Sequence, residues 1–231
     1  MLHFFFGGGI IEKDKGAFKM PIGEIIFYIA EYIGIVAFAI SGALIAIDRH
    51  FDIFGVVVLA VTTALGGGTI RDIILGDTPP KMFYSYTYLL VATLCALAVF
   101  LFEWILREWF LKERERIEKT INVFDAVGLG AFAVSGVQMA LSTEFGDNAF
   151  LAIFLGTLTA VGGGVLRDMM SGEVPMVLKK RIYALAAIAG ALTFYLLQSF
   201  TAEMVALFVG MAVTVTIRLC ATHFRWSLPK L

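Results

Sequence analysis

The chain has 231 residues, 59% of them hydrophobic and 16% charged, with a mean hydropathy of +0.87 and a formal net charge of −1. A water-soluble domain carries about 45–50% apolar and about 25% charged residues, so this composition excludes an ordinary soluble globule. With no basic stripe interleaved with aromatics, it also gives no footprint for nucleic acid.

Residues 1–22 open with a short apolar patch followed by charge, the reverse of a secretory signal, and read as a flexible leader. Seven apolar runs follow, each about long enough to cross a hydrocarbon core roughly 30 Å thick. They predict helices over 23–47, 53–76, 83–106, 121–142, 149–171, 181–199 and 202–221. An all-α integral membrane protein is the expected class, because a membrane span must satisfy its own backbone hydrogen bonds. The polar stretch from Glu103 to Thr120 reads as a solvated extension of the third helix, leaving 107–120 as a linker and 222–231 as a C-terminal tail.

Lys and Arg are unevenly divided between the two sides. Lys13, Lys15, Lys19 and Lys81 fall on one side. Arg49, Arg107, Lys112, Arg114, Arg116, Lys119, Lys179, Lys180, Arg181, Arg218, Arg225 and Lys230 fall on the other. The positive-inside rule then places the N-terminus outside and the C-terminus in the cytoplasm of the cell membrane. Trp104, Trp109 and Trp226 near one boundary, and Phe83, Tyr84, Tyr86 and Tyr88 near the other, read as paired aromatic belts.

The chain repeats itself. "AFAISG" (37–42) matches "AFAVSG" (131–136), and "GGGTIRDIILGDTPP" (66–80) matches "GGGVLRDMMSGEVP" (162–175). Glu31 corresponds to Asp125, Ser41 to Ser135 and Thr63 to Thr159, and more loosely "YLLVATLCALAVF" aligns with "YALAAIAGALTFY". Each copy, 23–106 and 121–199, holds three helices, and the seventh is left over. Because three is odd, the second copy is inserted upside down relative to the first. This inverted plan is common in transporters, whose sites lie where the repeats meet.

Two features of the repeated phrase need explaining. The triplets Gly66, Gly67, Gly68 and Gly162, Gly163, Gly164 weaken a helix by about 1 kcal/mol per glycine. They predict either local unwinding beside an aqueous path or close helix crossing through small residues. The pairs Arg71–Asp72 and Arg167–Asp168 are expensive in lipid, from about 2.5 to more than 10 kcal/mol per arginine. They line a water-filled path or lock the repeats as ion pairs. On a helix each Asp points about 100° from its neighbouring Arg, so cross-pairing between the halves is expected. Thr63, Gly67 and Arg71 share one helical face, as do Thr159, Gly163 and Arg167. Glu31 and Asp125 are intramembrane acids, and Ser41 and Ser135 pair with glycines in close packing.

Cys95 and Cys220 form no disulfide framework or metal spacing, His3, His50 and His223 are scattered, and no nucleophile–base set appears. No enzyme, metal or cofactor is expected. At the doubled Ser-Gly and Gly-Gly-Gly-x-x-Arg-Asp…Gly…Pro segments, plus a seventh helix, the sequence resembles the prokaryotic trimeric intracellular cation (TRIC) channels. That bacterial group is also labelled as glycine transporters. The resemblance covers residues 24–221. It implies a membrane-embedded homotrimer with one pore inside each protomer, lined by the second and fifth helices broken near their glycines, conducting monovalent cations, chiefly K+. A secondary transporter of a small solute such as glycine is the alternative.

Overall fold

The computed structural model of the protein describes residues 22–106, 113–179 and 182–226. The leader expected over 1–22 falls almost wholly outside them, as do Trp109 and most of the linker. The described residues form helices and turns with no strand. The long helices are α1 (Ile22–Asp48), α2 (Ile53–Ile74), α3 (Tyr86–Ile105), α4 (Arg114–Leu141), α5 (Ala149–Met170), α6 (Ile182–Leu197) and α7 (Glu203–His223). A 3-10 turn, Lys81–Phe83, precedes α3, and a single helical turn, Met176–Lys179, precedes α6. Six of the long helices are long and apolar enough to cross a membrane, while α6, at 16 residues, falls short. At 1.5 Å per residue α6 covers roughly 24 Å.

Most helix boundaries lie within three residues of expectation, and the start of α4 departs furthest. The polar stretch 103–120 is not an extension of the third helix, because α3 ends at Ile105 and Arg114–Thr120 already belongs to α4. The i,i+4 pair Glu115–Lys119 (2.7 Å) lies on that first part of α4 and supports it modestly.

The halves match in local chemistry. Asp52 caps α2 by accepting the Gly55 N–H (2.7 Å), and Asn148 caps α5 by accepting the Leu151 N–H (3.0 Å). Each cap satisfies one of the orphaned donors at a helix start. The first unit packs α1, α2 and α3 together. The second packs α4, α5 and α6, and α7 lies on α4 and α6.

The units meet through α1 against α4 and α2 against α5, and the contacts are reciprocal. Gly34 faces Phe132 while Gly128 faces Phe38, and the two rings lie 5.2 Å apart. Gly67 faces the Thr159 carbonyl, and Gly163 faces the Thr63 carbonyl. Such exchange of partners is the mark of a two-fold relation, here within one chain. The ends also agree: Arg49, after α1, pairs with Glu173, after α5, so both connections lie at the same end of the bundle.

The described outer surface of the bundle is largely apolar. Leu90, Leu94 and Leu101 on α3 and Leu185, Leu192 and Leu196 on α6 are exposed. Trp104, Phe83, Tyr84, Tyr86 and Trp226 are exposed as the belts require. Tyr88 is not part of a belt, since it is buried and bonded to Glu31.

Candidate functional site

α2 and α5 run as uninterrupted helices through their glycine triplets. Of the two outcomes expected there, local unwinding is absent and close crossing is present. A Cβ on Gly67 would strike the Thr159 carbonyl oxygen, and one on Gly163 the Thr63 carbonyl oxygen. The glycines therefore bring two helix backbones into direct contact, and the crossing closes the space between the halves. Thr63 and Thr159 sit beside it, each donating its hydroxyl to the carbonyl four residues back, Leu59 and Leu155, at 2.6 Å. Gly42 and Gly136 make room for those threonines: a Cβ there would lie 2.6 and 2.7 Å from the Thr63 and Thr159 hydroxyls.

On either side of the crossing the structure builds a charged cluster. In the first, Arg71 folds back onto its sequence neighbour. Its Nε and Nη2 donate to Asp72 Oδ1 at 2.9 and 2.7 Å, and its Nη1 lies 3.5 Å from Glu31 Oε1. Tyr88 of α3 donates to Glu31 Oε2 at 2.7 Å. In the second, Arg167 makes the same fold-back onto Asp168 Oδ1 (3.0 and 2.8 Å) and donates through Nη1 to Asp125 Oδ1 at 2.6 Å. Tyr183 of α6 donates to Asp125 at 3.3 Å. Each arginine thus pairs with acids of its own half, and the expected cross-pairing does not occur. The reason is reach: the long guanidinium stem returns to the adjacent carboxylate despite the 100° step between their Cα atoms. Arg167 does reach across the halves to a hydroxyl, its Nη1 donating to Ser41 Oγ at 2.9 Å.

The spacing Asp-x-x-x-Gly has a local cause. Gly76 and Gly172 have φ of +75° and +76°, the left-handed conformation glycine adopts without steric cost. Asp77 N–H returns to Asp72 O (2.9 Å) and Gly76 N–H to Ile73 O (3.1 Å); Glu173 N–H returns to Asp168 O (2.8 Å) and Gly172 N–H to Met169 O (3.2 Å). These are two Schellman terminations. They turn the chain so that Asp72 Oδ2 accepts the Lys81 N–H (3.1 Å) and Asp168 Oδ2 the Met176 N–H (2.7 Å). Each Asp therefore orients its Arg and ties down the following loop.

The clusters are not equivalent. The second is sealed: Arg167 and Asp125 are 0% exposed. It also receives Arg218 from α7, whose Nη2 lies 3.5 Å from Asp125 Oδ2 and whose guanidinium covers the Tyr183 ring at 4.7 Å. Among the described residues Asp125 Oδ2, Arg218 Nε and Ser135 Oγ are buried without a hydrogen-bond partner. Ser135 is the repeat mate of Ser41, and Arg71 does not engage it as Arg167 engages Ser41. Instead the first cluster opens on a cavity of about 30 Å³ lined by Glu31, Gly68, Arg71, Asp72, Lys81 and Tyr88, among others. A water needs only about 10–15 Å³ by this measure, so the cavity accommodates one or two.

The same asymmetry separates two mated glycines. A Cβ on Gly68 meets only Arg71 Nη2, at 3.7 Å, whereas one on Gly164 lies 2.6 Å from the Tyr183 hydroxyl. Gly68→Ala is expected to keep or slightly raise the thermal midpoint in detergent, by helix propensity. Gly164→Ala is expected to lower stability by about 1–3 kcal/mol through overpacking. Equal midpoints for the two variants would contradict the asymmetry.

Tyr88, Tyr183, Lys81 and Arg218 are site residues that the motifs did not single out. The tyrosines did leave a signal, since each opens the aligned third segment of its repeat. Arg218 left a weaker one, a cation inside an otherwise apolar final helix. Among the described residues no group of three or more His, Cys, Asp or Glu is placed to hold a metal ion.

The family model described as "Glycine transporter" matches residues 28–104 and 122–199. The chain is 43% identical to a UPF0126 membrane protein of Deinococcus radiodurans over 72% of this chain and 74% of the relative. It is 37% identical to the UPF0126 membrane protein YvgT of Bacillus subtilis, over 86% and 93%, and 38% identical to the inner membrane protein YadS of Escherichia coli, over 87% and 94%. Among solved structures, a TRIC trimeric intracellular cation channel orthologue from Rhodobacter sphaeroides aligns with a TM-score of 0.77 at 35% identity, covering 87% of this chain and 99% of that one. A prokaryotic TRIC channel crystallised in 0.5 M KCl aligns with a TM-score of 0.80 at 34% identity, covering 89% and 100%. A further TRIC cation channel structure, from a study of conductance, aligns with a TM-score of 0.76 at 42% identity, covering 89% and 97%.

Proposed function

Because the chain belongs to the prokaryotic TRIC channel family, we propose that it is a cation channel of the cell membrane, conducting monovalent cations and chiefly K+. The active form is a homotrimer in lipid, with one path inside each protomer between α2 and α5. The N-terminus is outside and the C-terminus cytoplasmic, which puts the Arg71 cluster toward the outer face and the Arg167 cluster toward the inner one. The halves 23–106 and 121–199 act as the two repeats of this plan, with α7 added to the second.

The observation that carries this reading is the pair of buried arginine–acid clusters flanking the α2–α5 crossing. Ionisable groups at membrane depth face the bundle interior and mark ion pathways. Thr63 and Thr159 add hydroxyls to the same line between the clusters. The glycine crossing is the closed constriction, and conduction requires α2 and α5 to separate there. The helices stay intact, and Gly66, Gly67, Gly68, Gly162, Gly163 and Gly164 supply the smooth surfaces that slide or part.

The inequality of the two clusters favours one other reading. A site open toward one end and sealed toward the other is also what an alternating-access transporter of a small solute such as glycine displays. Proteoliposomes separate the two. The channel reading predicts rapid K+ efflux that collapses an imposed K+ gradient and does not saturate with solute. Slow, saturable glycine uptake without K+ flux would replace it with the transporter reading.

A further inference from the structure

We propose that Lys81 is a tethered cation that limits ion entry at the mouth of the Arg71 cluster, a role that rests on the channel reading above. The backbone holds the residue in place: its N–H bonds Asp72 Oδ2 at 3.1 Å, which fixes it at the wall of the cavity it lines with Glu31 and Arg71. The side chain is held much less firmly. Its ammonium lies 3.7 Å from Met139 Sδ and 5.6 Å from the centre of the Phe27 ring, and it forms no ion pair among the described residues. Thioether and phenyl contacts are weak substitutes for water around a strongly hydrated ammonium. The charge is therefore kept at the mouth by its tether and is easily swung aside.

The repeat supplies an internal comparison. The position of Lys81 is taken by Met176 in the second half, whose N–H bonds Asp168 Oδ2 in the same way. There the second cation comes from outside the repeat, as Arg218 of α7, 2% exposed and fixed between Asp125 and the Tyr183 ring. Each cluster thus has two formal acids and two formal cations, Glu31 and Asp72 with Arg71 and Lys81, and Asp125 and Asp168 with Arg167 and Arg218. In one cluster the fourth charge is locked in a helix; in the other it rides on a turn beside a cavity. A cation entering from the Lys81 side meets a site whose acids are already neutralised, and the ammonium must move before the ion takes its place.

The groups facing this ammonium are Glu31 of α1, Arg71 and Asp72 of α2, Asp77 of the following turn and Tyr88 of α3, while α4 contributes Met139. Burial lowers the Lys81 pKa below that of a free lysine, opposed by the nearby Glu31 carboxylate and reinforced by Arg71. The half-exposed Tyr84 phenol is pushed up to about 12 by partial desolvation and by Asp77. The charged form of Lys81 exists below its pKa, so raising the pH through that lowered value discharges the mouth.

The test is single-channel recording of the full chain in planar bilayers, comparing wild type with Lys81→Met, the residue found in the other repeat, and with Lys81→Arg. At about 0.01 M KCl, where screening extends about 30 Å, Lys81→Met is expected to raise cation conductance from the Lys81 side by about two- to fivefold, the effect of removing one unit charge near the path. The gain shrinks at about 1 M KCl, where screening acts within about 3 Å, and Lys81→Arg behaves as wild type. Alkaline solution on that side reproduces the gain in wild type and not in Lys81→Met. A conducting wild type matched by Lys81→Met at low salt, with equal thermal midpoints, overturns the proposal alone. A wild type that passes no unitary current overturns the channel reading and the proposal with it.

Discussion

Replacing Asp125 by alanine is expected to lower stability by about 3–5 kcal/mol, the usual cost of leaving a buried charge without its partner. Asp125 is 0% exposed and serves three groups: Arg167 Nη1 at 2.6 Å, Arg218 Nη2 at 3.5 Å and the Tyr183 hydroxyl at 3.3 Å. Asp168 retains only part of this duty, since its Oδ1 already binds Arg167 and its Oδ2 holds the Met176 N–H. Two guanidinium groups would share one remaining acid in a sealed site. Glu31→Ala, its repeat counterpart, is expected to lose roughly half as much or less. Arg71 keeps Asp72, the Glu31 contact is the longer one at 3.5 Å, and the adjoining cavity admits water. Thermal or denaturant unfolding of both variants in the same detergent measures the difference, and equal losses would contradict the inequality of the clusters.

The second large effect is at the crossing. Gly67→Ala and Gly163→Ala each place a methyl against a backbone carbonyl of the other helix, which no rotamer change relieves. Overpacking typically costs about 1–3 kcal/mol and here is expected at or above the upper end. Gly66→Ala and Gly162→Ala provide the contrast. On Gly66 a Cβ meets the flexible tip of Leu166, and on Gly162 it lies 3.2 Å from the Gly67 Cα. The expected order of damage is the central glycine first and the leading glycine second in each triplet. Unfolding midpoints with the order reversed would show that the close contact is not at Gly67 and Gly163.

The helical class and the doubling of the chain were legible before the structure, because apolar runs of fixed length and a phrase written twice are properties of the sequence alone. So were the residues of both clusters other than those supplied by Tyr88, Tyr183, Lys81 and Arg218. Arg71, Asp72 and Glu31, and their mates Arg167, Asp168 and Asp125, announce themselves as charges in apolar surroundings. Their pairing was not legible. A helical wheel separates adjacent residues, and it cannot represent an arginine stem long enough to fold back on Asp72. The state of the glycine triplets was not legible either. Low helix propensity permits a break, but whether one forms depends on what the glycine faces, and Gly67 and Gly163 face each other's helix backbones. The start of α4 was missed because Arg114–Thr120 is polar, whereas the apolar pattern begins only beyond it. In the sequence Arg218 is only one more positive charge on its side; its role appears when α7 lays it on Tyr183 and Asp125, a contact between parts of the chain far apart in sequence.

The proposed channel carries cations through the protomer. The most direct measurement is the reversal potential of unitary currents from the purified chain in a planar bilayer separating unequal KCl solutions. Discrete steps that reverse near the K+ equilibrium potential are the expected result. Steps that reverse near the Cl− potential, or a silent bilayer with protein shown to be inserted and folded, would contradict it.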